Sequence, residues 1–236
     1  MKLVDFFAKL SFGELRNLAL ANEGDGTITE AGQPTIVHFL NEGLKAIYGD
    51  FLLIQKDLLV LMREDITNYH LLPRFAVQYE PLGSRDNEPF RYILDLPDEP
   101  FLGDVVRILA AFDSYGEKLP LNDQALPDSL FTPQLRTLQV PRPVDGAALS
   151  VLYQAAHPKI VGDLEEEVEI PDNLEEALLE FVAYKVFSSM NTAVSTAKGI
   201  EHFQRYTAIC AGVVSKDLVS TSIVTTNTRF EQRGFV

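Results

Sequence analysis

The segment that looks most like a ligand loop is Gly24-Asp25-Gly26-Thr27-Ile28-Thr29, which is similar to the middle of an EF-hand. Calcium in such a loop needs an acid at its first position and a bidentate Glu at its twelfth. With Gly26 aligned on the invariant glycine, those positions hold Ala21 and Gly32, so the segment reads as an interhelical turn. His38, His70, His157 and His202 are scattered, and no two have metal-ligand spacing. Each is read as structural or surface. Cys210 stands among Ala and Ile in a helical stretch and reads as a small buried apolar side chain, not a nucleophile. The carboxylates of Glu165-Glu166-Glu167 are contiguous, and such runs are solvated. The chain holds no Gly-x-Ser-x-Gly elbow, P-loop, dinucleotide fingerprint or HExxH. The expectation is a protein that is not an enzyme, with no catalytic residue, no metal and no cofactor.

Composition agrees with a role carried by surfaces. The 236 residues are 46% apolar, enough for one large domain or one domain with a smaller lobe. The net charge of -14 argues against gripping nucleic acid, because phosphate neutralisation requires clustered Lys and Arg. A single cysteine excludes an intrachain disulfide and gives no sign of an oxidising compartment. Asp5 interrupts the apolar run that a signal peptide would need, and Gln55, Lys56 and Asp57 break the longest candidate span, Phe51 to Met62. A protein kept in the cytosol, or assembled there, is expected.

Three regions differ in pattern. Residues 1–56 read as helices. Ser11 with Glu14 forms a candidate capping box, with Leu10 stapled on Leu15. After the Gly-rich loop 22–32, Pro34 opens a helix whose stripe is Ile36, Leu40, Leu44, Ile47 and Phe51, with Asn41, Glu42 and Lys45 facing away. Residues 57–162 read as a β-rich inserted lobe. Most of the thirteen prolines lie there, between short runs at 58–62, 74–79, 90–94, 104–112, 135–140 and 147–153. Residues 163–214 return to helix after an acidic hinge. Asp172 is the expected N-cap of a helix carrying Leu174, Leu178, Phe181 and Val182. A turn at 188–192 precedes a last helix through Phe203, Tyr206 and Ile209 to about Gly212. The fold class is therefore α+β: a bundle of N- and C-terminal helices with an inserted β-rich lobe.

Residues 215–236 read as an extended C-terminal arm. The segment has three basic residues against two acidic ones, opposite in sign to the rest of the chain. It alternates apolar side chains with Ser and Thr and ends on aromatics, a composition suited to pairing with a sheet edge or filling a partner's groove. Ile223, Arg229, Phe230, Arg233, Phe235 and Val236 are the expected partner-binding residues.

The dispersed pattern resembles the head-to-tail adaptor, or connector, proteins of tailed bacteriophages, the short-tailed ones in particular. It is carried by Ser-Phe-Gly-Glu-Leu-Arg-Asn-Leu at 11–18, Phe-Leu-Asn-Glu-Gly-Leu-Lys-Ala-Ile-Tyr at 39–48 and the Thr67–Leu72 stretch before Pro73. Ser-Leu-Phe-Thr-Pro at 129–133, Leu-Gln-Val-Pro at 138–141 and Tyr-Gln-Ala-Ala-His-Pro at 153–158 belong to it. Its most specific part is Ile170-Pro171-Asp172-Asn173-Leu174-Glu175-Glu176-Ala177-Leu178, an Ile-Pro step opening a long Ala- and Leu-rich helix. The resemblance implies a virion neck protein that packs beside copies of itself in a ring, typically a dodecamer, and continues the DNA channel. Its implied partners are itself, the portal protein, reached by the C-terminal arm, and a tail nozzle or tail tube protein. DNA would pass without sequence-specific binding, and no membrane is involved. The β-rich middle is larger than the family's minimal helical core. Competing readings are a phage assembly or tail-completion factor that forms no ring, and an enzyme using buried carboxylates.

Overall fold

The computed structural model describes residues 1–13, 15, 27–79 and 90–219. The chain divides into two units, one of residues 1–44 and 160–236, the other of residues 45–159. The fold is α+β: helices at both ends of the chain and antiparallel sheets between them.

The first unit is helical. Helix α1 (Leu3–Phe12) buries Leu3, Phe6, Phe7 and Leu10, a helical spacing that places one apolar face inward. Ser11 lies inside this helix and not at the start of the next. Its hydroxyl donates to Thr27 O at 3.2 Å, which corrects the capping-box reading. Leu15 N donates to Leu10 O at 2.9 Å, and both side chains are buried. Residues 22–26 of the Gly-rich loop lie outside the described residues. Helix α2 (Gln33–Asp50) carries Pro34 in its first turn, where a missing N–H costs nothing. Ile36, Leu40, Leu44 and Ile47 of α2 are buried as the periodicity predicts. Asn41 does not face away from the protein, as expected from its polarity. Its side chain brackets Ile160, with Oδ1 accepting from Ile160 N and Nδ2 donating to Ile160 O, both at 2.9 Å.

Helix α3 (Asp172–Ser189) buries Leu174, Ala177, Leu178, Phe181, Val182, Ala183, Val186 and Phe187, so little of its circumference is left for water. Its N-cap is Pro171 and not Asp172, because Pro171 already has the extended backbone of a cap and Asp172 is the first helical residue. Asp172 and Glu175 still place negative charge in the first turn, where the helix dipole favours it. The turn that follows is shorter than expected, with Asn191 at φ 52°, a region Asn tolerates. Helix α4 (Ala193–Ser215) then starts on a true capping box: Ser195 N donates to Thr192 Oγ1 and Thr192 N donates to Ser195 Oγ, each at 3.1 Å. Gly199 lets α4 approach α3 closely, since a Cβ there would stand 2.7 Å from Ser188 Oγ. The acidic hinge is ordered by specific contacts. Glu166 accepts from Val161 N and Gly162 N, and Lys2 pairs with Glu165 at 2.7 Å.

The second unit is the β-rich lobe. Strands β1 (Gln55–Leu61), β2 (Asn68–His70), β3 (Ile93–Leu94), β4 (Val105–Phe112), β5 (Lys118–Leu119), β6 (Phe131–Gln134), β7 (Thr137–Gln139) and β8 (Ala148–Ala155) form two antiparallel sheets. The larger has the order β3-β1-β8-β4-β5 and the smaller β2-β7-β6. Alternation governs the inward faces: Leu58 and Val60 of β1 are buried, as are Leu149, Val151 and Tyr153 of β8. These side chains meet Tyr69, Leu71, Tyr92, Ile93, Leu130 and Leu138 in one core. The expected strand at 74–79 is absent. Pro73, with its fixed φ and missing donor, opens a 3-10 turn at Pro73–Phe75, and only Ala76 bridges to Ile93. The run 90–94 is likewise reduced to the two residues of β3.

Candidate functional site

Two polar clusters and one apolar stripe are the features with chemical or binding potential. The first cluster joins α3 to α4. Glu180 and His202 have side chains only 6% and 8% exposed, and His202 Nδ1 stands 2.6 Å from Glu180 Oε2. The Phe187 ring stacks on the imidazole at 5.1 Å and 10°. Arg205 Nη1 approaches the other carboxylate oxygen at 3.6 Å and Arg205 Nη2 reaches Glu201. This arrangement locks two helices together, and the reacting atoms are turned toward each other and away from solvent. His202 thus lies buried between α3 and α4. His38 is exposed beside Glu42, and His157 is half-buried with its ring edge-on to Tyr48. His70 Nδ1 meets Thr137 Oγ1 at 3.1 Å. Cys210 is half-buried in α4, more accessible than expected, because it sits at the margin of the face that α4 turns to α3. Among the described residues no group of three or more His, Cys, Asp or Glu is placed to hold a metal.

The second cluster lies in the lobe. Tyr153 of β8 donates its hydroxyl to Asp104 Oδ1 at 3.0 Å, and Lys56 of β1 donates to Asp104 Oδ2 at 2.9 Å. It borders a groove of about 450 Å3. A tyrosine beside a lysine could serve proton transfer if its pKa lay near neutrality. Here burial, followed by the charge of Asp104 and its hydrogen bond, pushes the Tyr153 phenol far upward. The cluster is therefore built to keep the phenol neutral, and it ties β1 and β8 to the start of β4.

Two more buried phenols behave alike. Burial pushes Tyr92 up to about 12, and it raises Tyr69 as well. Tyr92 accepts from His70 N and donates to His70 O, while Tyr69 accepts from Arg63 N and donates to Arg63 O. Raising a phenol's folded pKa above its unfolded value means that folded protein holds the proton more tightly. That stabilisation is complete below about pH 10 and is lost as pH rises through about 12. Chemical denaturation of the protein between pH 9 and 12 should thus show falling stability, and Tyr92→Phe should flatten the fall. An equal slope in both would mean that Tyr92 does not ionise differently in the two states.

The apolar stripe is on α4. The face toward the protein is Ser195, Gly199, His202, Tyr206 and Val213. Rotated from it is a second row, Thr196, Ile200, Phe203, Thr207, Ala211 and Val214, all exposed and none charged. Ile200 is 54% and Val214 68% exposed, and Leu218, just past the helix, is 54% exposed. Lys198, Glu201 and Arg205 stand on the opposite flank. The spacing of four, three, four, four and three residues keeps this row on one side of the helix. In the sequence this row is one of two interleaved at helical spacing, and only tertiary packing shows which one is covered.

Ile223, Arg229, Phe230, Arg233, Phe235 and Val236, the partner-binding residues expected from the sequence, lie outside the described residues. Among the described residues no helix is long and apolar enough to cross a membrane. No protein-family model matches the chain, and no curated protein is significantly similar to it.

Proposed function

We propose that this chain is the subunit of a head-to-tail adaptor ring in a tailed-phage virion, joining the portal to the tail around the DNA channel. The observation that carries this reading is the uncharged, exposed row on α4. A long helix with one apolar row covered and another left in water suits packing against a neighbouring copy, because exposed apolar rows of this kind mark protein contacts. Ring closure needs a heterologous contact, in which this row meets a different surface of the next copy. The sequence resemblance supplies the portal and the tail nozzle or tube as the ring's partners, with the arm 215–236 as the portal contact. A net charge of -14 suits a conduit that must pass DNA without holding it.

The test is to measure the mass of the purified protein by sedimentation and to image it after mixing with portal rings. A closed ring, alone or on the portal, is the expected product. Ile200→Asp with Val214→Asp should abolish ring formation while the circular dichroism spectrum is retained, since both side chains are exposed. A chain that stays monomeric and never decorates a portal overturns the ring and leaves an assembly factor as the better reading.

A further inference from the structure

The larger sheet of the lobe has an incomplete edge. Strand β1 pairs with β8 along its full length, Gln55 to Leu61, but with β3 only at Leu59 and Val60. Ala155 N donates to Ile54 O, which assigns the even residues of this stretch to β8. Leu61 N donates to Tyr92 O, which assigns the odd residues to the β3 side. The backbone groups of Gln55 and Asp57 therefore point to the side where, among the described residues, no strand lies. Such an edge is a template for another extended chain.

The surface beside this edge is equally unusual. Leu59, Leu94, Leu96 and Leu102 are all exposed, and all line the groove of about 450 Å3 that runs along Gln55–Leu59. Four exposed leucines around one groove form a patch of the kind that marks an interaction site. Its charge is one-sided. Among the described residues of its lining, Lys56 is the cation and is paired with Asp104, whereas Asp57, Asp95 and Glu99 have none beside them. Asp95 spends its oxygens on Gln78 N and Phe101 N, which leaves its charge in place. An occupant should be extended, with apolar side chains for the leucines and positive charge for the acids.

We infer that the groove and the open edge of β1 receive the C-terminal segment of a second copy of this chain, residues 220–236. The segment offers Ile223, Val224 and six Ser or Thr residues from 220 to 228, a composition that favours strands. It continues with Arg229, Phe230, Arg233 and Phe235, which match the acids and leucines in kind. Extended, it spans roughly 55 Å, long enough to cross between neighbouring subunits. That the donor is another copy rests on the ring reading above, and the contact belongs to subunits not yet seated on a portal. The pairing is β-strand addition, in which main-chain bonds give affinity and alternate side chains give selectivity.

The experiment uses two full-length chains of different mass tag, each with Cys210→Ser. One carries Leu59→Cys and the other Phe230→Cys, and they are mixed under mild oxidation. A mixed disulfide is expected, with at least a tenfold loss of yield when Asp57→Lys and Glu99→Lys are added to the first chain. Hydrogen exchange provides a readout independent of cysteine: the Asp57 amide should exchange at least tenfold faster in full-length Arg229→Glu/Arg233→Glu protein than in wild type. Absence of the mixed disulfide in chains that still sediment as rings overturns the groove inference and leaves the ring reading intact. A mixed disulfide in chains that sediment as open dimers overturns the ring and leaves the groove contact standing. A single chain carrying both cysteines that links only to itself overturns the second copy as donor.

Discussion

Glu180→Ala is expected to destabilise the helical unit by about 1–3 kcal/mol, the range for leaving a buried hydrogen-bond partner unsatisfied. The cost comes less from the lost attraction than from what is left behind. The His202 imidazole stays in a site 8% exposed, pressed against the Phe187 ring, without the carboxylate that faced its Nδ1. Arg205 loses its approach to Glu180 at the same time, although it keeps Glu201. Small domains have total stabilities of about 5–15 kcal/mol, so this single change should remove a sizeable share of what holds the α3–α4 pair together. Replacing both partners by apolar residues tells loss of charge apart from loss of packing. Glu180→Leu with His202→Leu should recover much of the loss, because two leucines leave no buried polar atom unsatisfied. Urea denaturation followed by far-UV circular dichroism measures both. A loss below about 1 kcal/mol in the single variant would place the pair among screened surface contacts and refute its role as a lock.

The second large effect is expected in the lobe. Gln154 of β8 is fully buried, and its Nε2 donates to Tyr48 O and Phe51 O, carbonyls at the C-terminal end of α2. Its Oε1 has no partner among the described residues. Helix ends leave carbonyls without intrahelical donors, and here a side-chain amide from a strand supplies them. Gln154→Glu keeps the size and replaces the donor by a carboxylate, which faces two carbonyl oxygens at the negative end of a helix dipole. A loss of roughly 3–5 kcal/mol follows at neutral pH, since a buried charge is set against acceptors. The sign of the pH dependence is fixed by the chemistry. The introduced carboxyl has a folded pKa above its unfolded one, so its protonated form, which can donate to one carbonyl, is favoured in the fold. Stability of the variant should therefore rise as pH falls toward about 4, where wild type is expected to show no such gain. Denaturation midpoints of both proteins at pH 4 to 7 test this. A variant as stable as wild type at pH 7 would show that the two carbonyls do not depend on the Gln154 amide.

The α+β class was legible because it depends on local periodicity. Ile36, Leu40, Leu44 and Ile47 repeat at helical spacing, and Leu149, Val151 and Tyr153 alternate, so each segment has one stable way to bury its apolar side chains. Proline density between Pro73 and Pro158 excluded long helices from the lobe on steric grounds alone. Cap positions were misread for the opposite reason. Ser11 and Asp172 are residues that cap helices well, but a cap is set by where the backbone leaves the helix, and Phe12 and Pro171 decide that here. Short strands such as β2, β5 and β6 carry too few residues for a periodic signal and exist because a neighbour pairs with them.

Polar function was the least visible from the chain. Glu180 and His202 are twenty-two residues apart, and Lys56, Asp104 and Tyr153 come from three separate strand regions, so no spacing rule could join them. The same holds for Leu59, Leu94, Leu96 and Leu102, ordinary leucines in a β-rich stretch until the fold gathers them around one groove beside β1. Residue type and order were enough to place the long helices and the β-rich stretch between them, and to show that no Gly-x-Ser-x-Gly elbow, P-loop, dinucleotide fingerprint or HExxH is present. Which apolar residues stay in water, and which charges meet in the interior, follow from contacts between segments distant in sequence, and those contacts exist only in the folded chain.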